Sequence, residues 1–294
     1  MPEMPELHAH AERLEDGFVG RVLTRFHPFN FTALKTAVPS PDDAYGHPLR
    51  SVGRRGKYLL LRFEPVTFVV HLMQGGRLLA DARLAKKPRG AQARFLFEPV
   101  KASDGGVDGS ALLLTEHGTE RRAGVWCVSA GDEESSTPLE GLGPEAAGIS
   151  AEALAQRFAD ERSQRVHGFL RDQRMVAGIG RRLANEVCWE ARTSPFATTR
   201  ALGAEGARAI AAAIEVRVES SLAEERARGE MSSSKDRTSA VHGRAGEPCP
   251  RAEGDDDHDV VRAVEYSGYT VSYCPTCQTG GKVLADNTTS RFLK

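Results

Sequence analysis

The chain begins Met1-Pro2-Glu3-Met4-Pro5-Glu6-Leu7-His8, and removal of Met1 would leave a secondary amine at its terminus with Glu3 and Glu6 close by. An α-amino group has an ordinary pKa of about 7.7 to 8.0, so a useful fraction is neutral near pH 7. A lysine, at about 10.4, must first be desolvated or set beside another cation. The ring nitrogen of Pro2 can attack a sugar aldehyde carbon and give an iminium directly, with Glu3 and Glu6 placed to move protons. Ordinary surface sequence is the alternative, and these residues alone do not exclude it.

Other stretches suit phosphate. Gly53-Arg54-Arg55-Gly56-Lys57 reads as a glycine-bracketed basic turn opening a strand, with Lys57 at the strand mouth. A plain basic hairpin tip is the alternative. His71-Leu72-Met73-Gln74-Gly75-Gly76 reads as a strand ending in a Gly-Gly turn, with Gln74 near its apex. Arg121-Arg122-Ala123-Gly124 puts a guanidinium pair on a loop before a strand, and Gly178-Ile179-Gly180 precedes a helical pattern in which exposed amides would favour an anion. Packing is the alternative role for these two glycines. Near the C-terminus, Cys249 and the pair Cys274-Pro275-Thr276-Cys277 suggest a metal site.

Elements must hold these groups in place. Pro5 suits a first helical turn, and Ala9, Ala11 and Leu14 recur at helical spacing until Gly17 and Gly20. Short β-type runs follow at 21–26, 57–63, 67–72, 93–97, 111–115 and 124–129, which predicts an all-β sandwich or barrel-like layer. The Pro-, Gly- and acid-rich stretch 130–148 reads as a linker. Ser150 should cap a helix over 151–162 with Leu154 and Phe158 inward. Further helices are expected through Leu183, Val187 and Trp189 to Ala191, and over 204–225. The polar segment 229–239 is expected to be mobile.

At 294 residues, two or three domains are expected. A net charge of -1 does not advertise a nucleic-acid binder, although 39 basic residues allow a positive face. No run approaches the ~18 apolar residues of a membrane span, and no signal-peptide core is evident, so an intracellular protein is expected. Five cysteines, an odd number, fit a reduced compartment and a metal site better than a disulfide framework.

Taken in order, Met-Pro-Glu-x-Pro-Glu, Gly-Arg-x-Gly-Lys on a strand, and His-Leu-x-x-x-Gly-x-Leu resemble the formamidopyrimidine-DNA glycosylase and endonuclease VIII family of base-excision repair enzymes, and the likeness runs along essentially the whole chain. The resemblance implies an α+β, multidomain chain. It would have an N-terminal catalytic β-sandwich (2–135), a helix-two-turn-helix DNA-binding domain (145–240) and a C-terminal zinc-ribbon-like β-hairpin (241–294). It implies a DNA glycosylase and AP lyase, acting as a monomer on damaged DNA, whether double-stranded or already unpaired. A nucleotide would be everted into the cleft between the β layer and the helices. Pro2 would attack C1′, Glu3 would act as general acid, Glu6 would position water or the amine, and Lys57 would hold phosphate. DNA contacts would come from Arg54, His71, Gln74, Arg121, Arg122, Gly178, Gly180 and Arg181. One structural Zn2+ is implied, with Cys249, Cys274 and Cys277 as ligands.

The chain departs from the family at several positions. Arg181 stands where Asn is usual after the Gly-x-Gly turn, while Glu186 matches the acidic helix position. Ala252 replaces the fourth zinc thiolate; either His258 completes a Cys-Cys-Cys-His set or the metal is lost and the hairpin survives on packing. Tyr269 occupies the place of a hairpin-tip Arg, which predicts that strand cleavage stops after the first elimination. The basic tail carrying Lys282, Arg291 and Lys294 would be an electrostatic substitute, though not a geometric one. Ala123 and Gln74 stand where apolar fillers are usual. These departures motivate a second reading, a DNA-damage-binding paralogue without catalysis. A ribosome-associated helix-two-turn-helix protein would leave the N-terminus without purpose.

Overall fold

The computed structural model describes residues 1–86, 88–101, 107–108, 111–118, 120–160, 162–252, 258–266 and 268–284. The predicted basic tail positions Arg291 and Lys294, and the acids at 255–257, lie outside them. The chain divides into two compact units, one of Met1–Gly141 with Gly229–Ser234, the other of Leu142–Arg228 with Lys235–Lys294. No helix among the described residues is long and apolar enough to cross a membrane.

In the first unit, helix α1 (Met4–Phe18) precedes strands β1 (Leu23–Pro28), β2 (Ser51–Arg55), β3 (Tyr58–Arg62), β4 (Val66–His71), β5 (Gly76–Ala80), β6 (Ala91–Phe97), β7 (Val100–Lys101), β8 (Val107–Asp108), β9 (Ala111–Glu116) and β10 (Gly124–Ser129). Two antiparallel four-stranded sheets form, in the orders β1-β6-β9-β5 and β10-β4-β3-β2, with β7 and β8 pairing separately. Between them lies a core in which Leu59, Leu61, Phe63, Phe68 and Val70 alternate inward along β3 and β4, the period-2 pattern of a sheet with one face on a core. Phe68 meets Phe95 edge-on at 5.2 Å, tying one sheet to the other. Helix α1 buries Leu7, Ala11, Leu14 and Phe18 in the same core and packs on β2 and β3.

Three expectations are corrected here. Gly53, Arg54 and Arg55 do not form a turn: they complete β2, and the turn is Gly56-Lys57, because Gly53, Arg54 and Arg55 pair with Leu60, Leu59 and Tyr58. Residues 76–80, which the expected β-type runs left out, form a strand that pairs with β9. The segment expected to be mobile is anchored at its start. Met231 is 5% exposed within the core of the first unit, and the Ser232 carbonyl accepts from Arg77 at 3.3 Å.

The second unit contains α2 (Ala151–Asp160), α3 (Val166–Arg171), α4 (Arg181–Glu190) and α5 (Thr199–Arg226), then the hairpin β11 (Arg262–Tyr266) and β12 (Tyr269–Tyr273), and the short α6 (Pro275–Thr279). The Ser150 hydroxyl accepts from Ala153 at 3.1 Å, and Leu154 and Phe158 are buried. Gly203 breaks α5 with φ 55, so its regular part starts at the expected position 204. α4 is buried from Arg182 to Trp189. Its Glu186 carboxylate accepts from the amides of Ala240 (2.7 Å), Val241 (3.0 Å) and His242 (2.9 Å), and Asn185 accepts from Ser272 at 3.3 Å. A buried carboxylate is tolerated here because three amides replace its water.

Candidate functional site

The Pro-Glu-x-x-Glu start folds as a helix cap. Glu3 is the N-cap of α1; its carboxylate accepts from the Glu6 amide, and the Glu6 carboxylate accepts from the Glu3 amide at 2.5 Å. This reciprocal capping box places both acids in the first turn, where the helix dipole favours negative charge. Pro2, Glu3 and Glu6 are buried, which is uncommon for a surface cap.

Strand register decides which loops share an edge. Arg55 pairs with Tyr58, Tyr58 with His71, and His71 with Gly124, so one row crosses β2, β3, β4 and β10. The Gly56-Lys57 turn, the 72–75 turn with Gln74, and the loop carrying Arg121 and Arg122 therefore all leave the sheet at the same end. Burial, then the Lys57 ammonium, then the chain's terminal amine, push the His71 imidazole down to about 4. Helix α1, which carries the chain's start, packs on β2 and β3 of the same sheet. The Met73 amide donates to His71 Nδ1 at 3.2 Å, leaving Nε2 to carry the proton of the neutral ring. The Tyr58 ring lies 4.7 Å from the imidazole.

Around this edge the cations differ in setting. Lys57 is half-buried, whereas Arg121, Arg122 and Gln74 are exposed. Arg122 pairs with Glu120 at 2.7 Å on the surface. Arg54 is half-buried and donates to the Gly56 carbonyl at 3.5 Å, at the long limit of a hydrogen bond, bracing the turn beside Lys57. Ala123, expected beside an everted nucleotide, is 1% exposed and packed in the core.

Two groups here escaped the sequence reading. Glu116, 4% exposed, accepts from the amides of Arg122 and Ala123 at 2.6 Å each and so fixes the arginine loop. The acid sits in the segment 116–120 that precedes the guanidinium pair, and its role rests on a short-range bond that spacing alone did not suggest. Lys35 is placed at the same edge by pairing of residue 34 with Val125, and its stem fills the space that a side chain at Gly124 would need. No sequence signal pointed to it.

In the second unit, Gly178 and Gly180 are buried, and the Gly178 amide donates to Gln173 Oε1 at 2.9 Å. The expectation of two exposed amides is therefore corrected. Gly178 takes φ 101, which a side chain would disfavour, so its contribution is conformational. Gln173 also donates to the carbonyls of Arg171 (2.9 Å) and Ile179 (2.8 Å) and locks the turn. Arg181, the first residue of α4, is exposed at the helix start.

Ligand atoms of Cys249, His258, Cys274 and Cys277 lie within 4.8 Å of one another. Cys249 Sγ is 3.8 Å from Cys277 Sγ, and His258 Nε2 is 3.3 Å from the sulfurs of both Cys274 and Cys277. Metal–sulfur bonds of about 2.3 Å at tetrahedral angles put sulfurs about 3.8 Å apart, so the donor set fits zinc. None of the cysteines forms a disulfide. The Trp189 indole donates to Cys249 Sγ at 3.4 Å, and Ala252 packs against the cluster. Burial works to raise the Cys249 thiol, but the Arg251 amide, the Trp189 indole and the neighbouring thiols outweigh it and lower it; burial raises Cys274 to about 12.

Comparison with known proteins agrees with this geometry. A family model described as the formamidopyrimidine-DNA glycosylase N-terminal domain matches residues 1–116. The formamidopyrimidine-DNA glycosylase of Chloroflexus aurantiacus is 30% identical over 293 residues, spanning 95% of this chain and 98% of its own. The crystal structure of the MutM (Fpg) protein from Thermus thermophilus is similar with a TM-score of 0.76 at 25% identity, covering 96% of this chain and 100% of that one. Wild-type Lactococcus lactis Fpg (MutM), solved in complex with a DNA containing N7-benzyl-Fapy-dG, shares the fold with a TM-score of 0.79 at 18% identity, over 95% of this chain and 100% of its own.

Proposed function

Because the chain belongs to the formamidopyrimidine-DNA glycosylase family, we propose that it removes oxidised bases from DNA and then cleaves the strand through a Schiff base on Pro2. The observation that supports this reading is the shared sheet edge, at which the Gly56-Lys57 turn, His71 and the loop carrying Arg121 and Arg122 emerge together.

Loss of Met1 frees the Pro2 nitrogen, which attacks C1′ of the everted nucleotide. The glycosidic C1′–N bond breaks, and the base leaves with its electron pair and takes a proton. Glu3 gives a proton to O4′ as the sugar ring opens, leaving an iminium between Pro2 and C1′. Its positive nitrogen acidifies the C2′ proton, which passes to water; the C2′–H electron pair forms the C2′=C3′ bond as the C3′–O bond breaks and the 3′ phosphate leaves with the pair of that broken bond. Water then hydrolyses the iminium and returns the amine. Glu6 acts one step back, holding the Glu3 backbone through its carboxylate. Lys57 supplies the cation beside the departing phosphate, and neutral His71 offers its Nε2 proton to a phosphate oxygen.

The second unit contributes grip. Arg181 at the start of α4, with Arg121 and Arg122 from the first unit, neutralises backbone phosphates, and most of the affinity comes from counterion release. Gln74 enters the space left by the everted nucleotide. Cys249, His258, Cys274 and Cys277 hold one zinc ion whose role is to brace the hairpin.

Borohydride trapping on a duplex with an oxidised base tests the reading. A covalent complex should form with the wild type and be absent with Pro2→Gly. DNA binding without trapping would leave the non-catalytic paralogue, and an intact mass that retains Met1 would sink the mechanism.

A further inference from the structure

The second unit presents a face built from alternating aromatic rings and guanidinium groups. The Arg171 guanidinium lies 3.7 Å from the centre of the Tyr269 ring, and His167 stacks on the same ring at 5.6 Å with planes 19° apart. Tyr266 meets Tyr269 edge-on at 5.9 Å, and Arg165 sits between Phe196 (5.0 Å) and Tyr266 (5.3 Å). Two arginines at the ends of α3 are thus seated on the β11–β12 hairpin, beside the bend that joins its strands.

A tyrosine ring holds a guanidinium by its quadrupole without cancelling the positive charge, unlike a carboxylate. The adjacent Asp172 binds Arg174 through both carboxylate oxygens, at 3.0 and 2.7 Å. The Tyr269 phenol is itself held neutral, since burial raises it above its ordinary value. The position of Arg171 is also fixed from behind. Gln173 binds the Arg171 carbonyl and, with the same side chain, the Gly178 amide and Ile179 carbonyl of the turn leading to Arg181. Arg171 and Arg181 therefore flank one turn that Gln173 ties at three points.

We propose that Arg171, stacked on Tyr269, is a DNA-phosphate contact of this chain, delivering at the hairpin a cation that the hairpin's own tip residue does not carry. The inference rests on the glycosylase reading and adds a binding residue to it.

Each lost phosphate contact on duplex DNA should reduce the slope of log K against log salt by about 0.9. Binding to a duplex with a stable abasic-site analogue, measured by fluorescence anisotropy over a salt series, should show that loss for Arg171→Met. Tyr269→Phe keeps the ring and should keep the wild-type slope. Tyr269→Leu removes the seat and should weaken binding about 2- to 5-fold, the range of a cation–π contact. Thermal melting of each variant checks that the unit is folded. An unchanged slope in folded Arg171→Met, with Arg181→Gln lowering it in the same series, would overturn the proposal while leaving the glycosylase reading intact. A wild type that neither binds the duplex nor traps with borohydride would overturn both.

Discussion

Followed by nitrogen NMR of its imidazole, His71 should titrate at about 4, far below the ordinary 6.5. Burial is the largest cause, and the positive charges of Lys57 and the terminal amine add to it. Lys57→Met deletes the second cause and should move the midpoint up without restoring 6.5. The sign for stability follows from linkage: the unfolded chain takes up the proton first, so stability is full above pH 6.5 and is lost as pH falls toward 4. The whole depression corresponds to about 3 kcal/mol, of which about 2 kcal/mol should be gone at pH 5. Urea unfolding of wild type and His71→Asn at pH 7 and pH 5 isolates this term, because the carboxylates and His167 titrate in both proteins. A His71 midpoint near 6.5 would refute the burial and the cation cluster together. A depressed midpoint that ignores Lys57→Met would refute the Lys57 contribution alone.

Purified protein should contain one zinc per chain by elemental analysis, with His258→Ala losing much of it and a chelator lowering the melting temperature; full occupancy in the variant would remove His258 from the donor set. Glu116→Gln should destabilise the first unit by about 1.5 kcal/mol in denaturant titrations, since two amides lose a charged acceptor. It should also weaken DNA binding by freeing the arginine loop, and unchanged affinity would detach Glu116 from that role. With an abasic-site duplex, product gels should show chiefly the 3′ unsaturated aldehyde; chiefly 3′ phosphate would reject the expectation drawn from Tyr269.

Much of the chain was legible as sequence because local periodicity encodes local structure. The run from Pro5 to Phe18, the short β-type runs and the Ser150 cap each reflect interactions spanning a few residues. Chemistry-bearing types were legible too: a proline amine beside two acids, a lysine at a strand mouth, and a cysteine set with one member missing. Strand partners were not legible, and register alone sets the Lys57, Gln74 and Arg121–Arg122 loops at one edge through the row Arg55, Tyr58, His71 and Gly124. The same holds wherever a group's role comes from a neighbour distant in the chain. Met231 enters the core of the first unit and Tyr269 receives a guanidinium from Arg171, whereas His258 was already legible as the candidate fourth donor and the fold brings it to sulfurs up to 19 positions away. Capping and turn bonds form within a few residues and leave their mark in spacing. Burial and long-range contact depend on which surfaces exclude water together, and only the folded chain decides that.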